Sequence, residues 1–532
     1  MLASKTVITN ILRRRGSPCA AVQGGAARAR RCFNSERGLT EETMSQNVRN
    51  MEYAVRGQVV IAADVIQKEI QNNPKSHSYS KVLYTNVGNP HSVGQESLHW
   101  PRQVMALCNL PPSQGIDNED MQRIFPLDVI ARAREIVHVG MADQGTGSYS
   151  HSQGHLAFRK DIANFIQERD EGVASNPDHI FMCNGASSGI EMMLDVLLNG
   201  SDAGVMIPIP QYPIYSASIA AHGARQVGYY LDEEKGWSMS IDHLEEQLEA
   251  AKAEGTNVVA FTLINPGNPT GQVMTKQAVH DVVRFCAKHK LVLLSDEVYQ
   301  DNVYDENAEF VSAKRAAFEC GLLENDAIEL VSFHSTSKGL YGECGHRGGY
   351  MEVIGMDTNV ERHLYKLASS GLCPNLDGQI LMDLMVRGPE KGTESYEHHQ
   401  AQRNKIFSEL KAKAKLMTEG LNSIPGFSCQ PAQGAMYCFP NIQMPDGAIK
   451  AAEDKNMALD TYYALSLLEA TGICVVPASG FGQKPGRHGF RTTFLPSSKD
   501  MKQAIEAMKQ HHLDFCEKHG GLTSTTDPTL TA

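Results

Sequence analysis

Ser332-Phe-His-Ser-Thr-Ser-Lys338, with Arg347 nine positions further on, sets one lysine among hydroxyls and close to a fixed cation. A lysine amine becomes a useful nucleophile when a carbonyl partner draws it into a Schiff base. Ser335, Ser337 and Arg347 supply the donors and the positive charge that a phosphate on such a partner requires. The chemistry this pattern fits is capture of a phosphorylated aldehyde. A serine-flanked lysine also fits a solvated loop, so the reading depends on what else the chain carries.

Two upstream segments bear on it. Asn265-Pro-Gly-Asn-Pro-Thr-Gly271 follows the apolar run Val258 to Ile264, which reads as a buried parallel strand ending at its carboxyl edge. Open α/β sheets bind ligands at that edge, although Asn-Pro-Thr-Gly alone is only a turn signal. Val292-Leu-Leu-Ser-Asp-Glu-Val-Tyr299 is a second apolar strand and delivers Asp296 to a place where a carboxylate needs a cationic partner. A protonated pyridine nitrogen is such a partner. Asp296 lies 28 residues after Asn268, and Lys338 lies 42 after Asp296. Each interval has room for a crossover helix and a strand.

On this ordered set, and from about Met51 to about His512, the chain resembles the pyridoxal-phosphate aminotransferases of fold type I, class I/II. The resemblance implies that Lys338 holds pyridoxal 5'-phosphate and acts as the base. It also implies that Asp296 pairs with the ring nitrogen, that Asn268 and Tyr299 contact the phenolic oxygen, and that Ser335 and Arg347 hold the phosphate. Cys183-Asn-Gly-Ala-Ser-Ser-Gly189 fits the same pattern. It stands between a short strand, Ile180 to Met182, and an apolar helix, Ile190 to Leu198, so that Gly185, Ala186 and Ser187 open a helix towards the phosphate. A plain helix cap would read the same way. Tyr212, in Pro208-Ile-Pro-Gln-Tyr-Pro213, matches the aromatic that stacks on the pyridine ring.

For substrate, the resemblance assigns the α-carboxylate to Arg491 in Gly489-Phe-Arg-Thr-Thr-Phe-Leu495, with Asn268 beside it. A guanidinium suits the task because its planar donors match both carboxylate oxygens. Arg487 is the alternative, and an arginine on a surface edge strand is the plainer one. Tyr84-Thr-Asn-Val-Gly-Asn-Pro90 resembles the family segment whose glycine, here Gly88, passes close to substrate, where a side chain would block the backbone's approach. Gly147 to Gly154 resembles the segment whose tyrosine, here Tyr149, reaches across a subunit boundary to the partner's phosphate, which implies a homodimer with shared active sites; an intrachain turn is the plainer reading.

The implied activity is reversible ping-pong transamination between L-alanine and 2-oxoglutarate. Glutamate:glyoxylate transamination is the runner-up, because the text around Cys344 to Tyr350 and Gln433 to Cys438 suits both. Pyridoxal-phosphate lyases and synthases share the fold but need no oxo acid acceptor. A cofactor-free binding module would be expected to lose Lys338 or Asp296, and both are present.

Strands alternate with helices such as Thr275 to His289, where Ala278, Val279, Val282, Val283 and Cys286 recur at helical spacing behind a Thr275 cap. The pattern predicts an α/β fold with a mostly parallel sheet and helices on both faces. With the resemblance, it becomes a seven-stranded large domain over 130–365, an arm and part of a small domain over 34–129, the rest of that α/β domain over 366–512, and a tail over 513–532.

Composition is that of a soluble globular chain, 42% hydrophobic and 21% charged over 532 residues. A net charge of −12 argues against general nucleic-acid affinity, and no apolar run approaches the roughly 20 residues of a membrane span. Twelve cysteines without a C-x-x-C pair read as reduced thiols and indicate no metal site or disulfide frame. Cys183 and Cys344 flank the cofactor segments. The pairs His398-His399 and His511-His512 read as solvated helix positions, as does Lys411-Ala-Lys-Ala-Lys415. Residues 1–33 lack acids and carry Lys5, Arg13, Arg14, Arg15, Arg28, Arg30 and Arg31, the composition of an organelle transit peptide. The arginine weight favours mitochondria over chloroplasts.

Overall fold

The computed structural model describes residues 38–53 and 57–522. The transit-peptide segment and the end of the tail lie outside the described residues. Residues 38–49 form a unit of their own, in which Arg49 pairs with Glu41 at 3.3 Å. Everything that follows concerns the second unit, from Asn50 onward.

Seven strands form one sheet, in the spatial order 180–184, 348–354, 330–335, 292–296, 257–264, 203–209, 225–230. The five strands from 330–335 to 225–230 are mutually parallel. Only Gly348–Ile354 runs antiparallel, between Ile180–Asn184 and Leu330–Ser335. The sheet is the mostly parallel one expected from the alternation of strands and helices.

Every residue of Val292–Asp296 and Leu330–Ser335 is buried, because helices cover both faces. Side chains alternate across a strand, so adjacent residues enter different cores. Leu293 and Leu330 pack with Phe261 and Val283, while Leu294 and Val331 pack with Ile190 and Ile380. Helix Lys276–His289 closes one face with Val279, Val282, Val283, Phe285 and Cys286, and Thr275 caps it by accepting from the Ala278 N–H. Such a cap contributes about 1 kcal/mol.

Strand register places the polar strand ends together. Ile264 pairs with Asp296, and Asp296 with Phe333, two residues before Ser335. Asp296, at the end of its strand, and the loops bearing Asn268 and Lys338 therefore lie at the same edge of three adjacent strands. A second sheet has Phe490–Thr493 in its centre, flanked by Tyr437–Cys438 and Val476–Pro477. Arg491 is thus on a central, wholly buried strand and not on a surface edge.

Two expectations need correction. His399, His511 and His512 are buried, not solvated. His399 sits edge-on to Trp100 at 5.8 Å and His512 against Phe427 at 4.9 Å. Burial pushes all three imidazoles down to about 4, so they are neutral aromatic packing; only His398 is exposed. The last helix, Ser498–Lys518, runs beyond His512 and buries Phe515 and Cys516. No helix among the described residues is long and apolar enough to cross a membrane.

A buried charge network lies behind the strand end that carries Asp296. Arg169 pairs with Asp170 at 2.7 Å and with Glu297 at 3.3 Å, and both acids have side chains only 1% exposed. Glu297 also accepts from Ser295 and from the Ala313 N–H. Arg169→Met should leave two buried carboxylates without their cation and lower stability by about 3–5 kcal/mol in chemical unfolding. A loss under about 1 kcal/mol, the range of an exposed pair, would mean the acids are adequately held by their other partners.

Candidate active site

The three strand-end loops, the N-terminus of helix Ala186–Leu197, and strands Tyr437–Cys438 and Phe490–Thr493 enclose a cleft of about 300 Å³. Gly88, Ala186, Ser187, Tyr212, Asn268, Asp296, Tyr299, Ser335, Ser337, Lys338, Arg347 and Arg491 line it. Gly185 adjoins it as the N-cap of that helix, with φ 77°, where glycine is the residue least strained. A Cβ there would also collide with the Arg347 guanidinium.

Arg347 is the hub of one end. Its Nη2 donates to Ser187 Oγ at 3.1 Å and to Asn184 O at 3.0 Å, and its Nη1 to Cys344 O at 3.2 Å and Ser337 Oγ at 3.4 Å. Hydroxyls, a guanidinium and a helix N-terminus converge here, as an anion site requires. The Lys338 amine donates to Gly88 O at 3.0 Å.

Asp296 is 4% exposed. Tyr215 Oη donates to its Oδ2 and the Val298 N–H to its Oδ1, each at 3.4 Å. Burial pushes its carboxyl up to about 6, against the opposing pull of those two donors and of the Lys338 ammonium. The carboxylate is therefore short of positive charge as it stands.

Arg491, 1% exposed, lies at the other end. It donates through Nη1 to Asn268 Oδ1 at 3.0 Å and through Nη2 to Asn86 O, while Nε has no partner. It forms no ion pair among the described residues. Neither do Lys338 and Arg347, so the cleft holds three cations and one carboxylate. Its charge calls for anionic ligands at two ends. Arg487, the alternative, is committed to Glu233 at 2.7 and 3.0 Å.

A model of the family "Aminotransferase class I and II" matches residues 117–508. The chain belongs to the class I and II aminotransferases. It is 45% identical over 489 residues to the probable mitochondrial alanine aminotransferase of Dictyostelium discoideum, covering 91% of this chain and 90% of that one. It is 41% identical over 483 residues to glutamate–glyoxylate aminotransferase 1 of Arabidopsis thaliana, covering 91% and 98%. The alanine aminotransferase structure from Pyrococcus furiosus superimposes with a TM-score of 0.67 at 22% identity, covering 88% and 98%. That likeness carries the fold.

Aminotransferases of this family depend on pyridoxal 5'-phosphate, act on amino acids and 2-oxo acids, and are typically dimeric. The cleft of this aminotransferase fits the cofactor. The donor set around Arg347 suits a phosphate, Asp296 lacks the cation a pyridinium would supply, and Lys338 lines the same cleft.

Of the assigned residues, Gly185 only adjoins the cleft and Tyr149 does not line it; Tyr149 is 72% exposed. Three tyrosines went unassigned in the sequence. Tyr53 Oη lies 3.1 Å from Tyr212 Oη, Tyr215 bonds Asp296, and Tyr437 Oη lies 2.9 Å from Tyr299 Oη. Tyr215 had a signal, since it follows Tyr212 by three positions at the opening of helix Pro213–Ala221. Of the two flanking thiols, Cys344 lines the cleft and donates to Ser337 O at 3.0 Å. Cys183 is buried, and burial pushes its thiol up to about 12.

Proposed function

We propose that the protein catalyses reversible amino-group transfer between L-alanine and 2-oxoglutarate, giving pyruvate and L-glutamate. The observation that carries this reading is Arg491, a guanidinium with no acidic partner, buried across the cleft from the Lys338–Asp296–Arg347 group. It calls for a carboxylate ligand. Alanine and 2-oxoglutarate as the pair rest on the 45% identical relative that bears the alanine aminotransferase name. The 41% identical glutamate–glyoxylate enzyme keeps glyoxylate as the second reading for the acceptor.

When bound, pyridoxal phosphate supplies an electron-accepting ring that stabilises negative charge at the substrate's α-carbon. The chain's residues do the rest. Arg347, Ser187, Ser335 and Ser337, with the N-terminus formed by Gly185 and Ala186, would hold the phosphate. Tyr212 would stack on the ring, Asn268 and Tyr299 would bond its phenolic oxygen, and Asp296 would keep its nitrogen protonated. Arg491 forks onto the substrate carboxylate, and Gly88 leaves room for the α-carbon. The Lys338 amine takes the α-proton and returns it. The first substrate leaves as an oxo acid before the second enters, so the kinetics are ping-pong.

We assign the enzyme to a homodimer in which Tyr149 reaches the partner's phosphate; its exposure, with that of Leu156, supports this. A mitochondrial location is proposed from the name of the Dictyostelium relative. We also propose a division into a large domain over 130–365 and a small domain from 366 to the end of helix Ser498–Lys518.

The direct test is the visible spectrum of the holoenzyme. L-alanine should bleach it and 2-oxoglutarate restore it, with pyruvate and glutamate formed in proportion. Faster restoration by glyoxylate would support the second reading. Turnover of an amino acid without any oxo acid would point to a lyase. Arg491→Lys keeps the charge but loses the fork, and should raise KM for both substrates by roughly 10- to 100-fold. Unchanged KM values would move the carboxylate site elsewhere.

A further inference from the structure

Tyr437 meets three of the groups on which the proposed reaction depends, and no role has been given to it. Its ring forms one wall of the Arg491 pocket, with the guanidinium 4.3 Å from the centroid on one side and 4.7 Å from the Phe481 ring on the other. Its hydroxyl is 2.9 Å from that of Tyr299, with the two rings nearly perpendicular at 83°. A Cβ placed on Gly88 would stand 2.5 Å from Tyr437 Oη and 3.2 Å from Lys338 Nζ. The hydroxyl and the lysine amine therefore face one small space over Gly88.

The backbone fixes these contacts. Tyr437 pairs with Thr493 and Cys438 with Thr492, so Tyr437 rides on the strand that neighbours Arg491. It is 2% exposed and cannot turn out to solvent without opening the sheet. Burial opposes ionisation of the phenol. The Lys338 ammonium, the Arg491 guanidinium and the Tyr299 hydroxyl outweigh burial and hold it below its ordinary value. The two cations thus act on this oxygen within the protein as it stands.

We propose that Tyr437 is a positioning residue with two separable parts. The ring fixes the plane of Arg491 for the substrate carboxylate, and the hydroxyl, anchored by Tyr299, aligns the Lys338 amine over Gly88. The hydroxyl accepts a hydrogen bond from the lysine when the lysine carries the α-proton, and the proton remains on nitrogen. A neutral phenol beside an ammonium supplies this without a competing ion pair. The inference rests on the transaminase reading for the lysine part only; the ring part needs only that Arg491 binds carboxylates.

The test compares holoenzymes of wild type, Tyr437→Phe and Tyr437→Leu. Steady-state kinetics are measured with alanine and 2-oxoglutarate, and calorimetric binding with glutarate, which has the carboxylates of 2-oxoglutarate but no reactive oxo group. Tyr437→Phe should keep glutarate affinity within about twofold and lower kcat roughly tenfold with KM for alanine unchanged. Tyr437→Leu should weaken glutarate binding roughly tenfold. Should the leucine variant not fold, Tyr437→Met fills most of the volume without an aromatic face.

Wild-type glutarate affinity in both non-aromatic variants would overturn the ring assignment. Wild-type kcat in Tyr437→Phe, or a Phe variant that loses both properties together, would overturn the separable hydroxyl role. A wild-type enzyme that binds glutarate but does not transaminate alanine would instead sink the proposed function and with it the lysine part. The ring part is decided by calorimetry alone.

Discussion

Lys338→Ala is expected to lower transamination by roughly 10⁴-fold, the upper range for loss of a positioned proton-transfer group, while the protein still retains pyridoxal phosphate through gel filtration. The two effects separate because the groups do. The Lys338 amine donates to Gly88 O at 3.0 Å, whereas Arg347 is organised independently by Ser187, Asn184 and Cys344. Removing the amine leaves the phosphate site intact. It also leaves space over Gly88, where an added Cβ would have met the amine at 3.2 Å. A small primary amine in the buffer should therefore enter and restore part of the lost rate, more so as its basicity rises. Turnover within about tenfold of wild type would remove Lys338 as the base. Loss of cofactor along with activity would mean that the covalent link, not the phosphate, retains it.

Much of this site was legible because its parts end apolar strands. The runs Val258 to Ile264 and Val292 to Asp296 are too apolar for one-sided burial, so their polar exits had to meet at the carboxyl edge, and the observed register puts Ile264 opposite Asp296. Thr275 announced its helix for a local reason, an unpaired N–H that its hydroxyl satisfies. What stayed hidden depends on partners far away in sequence. Gly348–Ile354 enters the sheet between 180–184 and 330–335, a placement no periodicity encodes. His399 and His512 look solvated among the polar residues of their helices until Trp100 and Phe427 arrive from other elements. Tyr437 sits in a short strand that says nothing by itself. Its meaning comes from Arg491 on the neighbouring strand and from Tyr299 in the turn that follows strand Val292–Asp296. Arg347 combines both cases, since its charge could be read but its left-handed φ of 55° could not.

Asp296→Asn should impair catalysis and yet stabilise the cofactor-free protein, because the carboxylate is costly until a cation joins it. Folded Asp296 holds its proton up to about 6, against an ordinary value of 3.8. Between those values the folded state binds the proton that the unfolded chain has released. Stability of the cofactor-free form therefore falls as pH rises through that window, and the cost is complete above about 6. Asparagine keeps the shape: its Oδ1 can accept from the Val298 N–H and its Nδ2 can donate to the Tyr215 hydroxyl, and it carries no charge. At pH 8 the cofactor-free variant should be more stable than wild type by roughly 2–3 kcal/mol, and the gain should shrink towards zero as pH falls towards 4. In the holoenzyme the balance reverses. In the proposed role the carboxylate would be the counter-charge that keeps the ring nitrogen protonated, and its loss should cost at least about 10²-fold in kcat and weaken cofactor binding. An unaltered rate would mean that another acid faces the ring nitrogen. Equal stability of the two cofactor-free proteins at pH 8 would mean that Tyr215, Val298 and Lys338 already satisfy the carboxylate, and that cofactor binding draws nothing from relieving it.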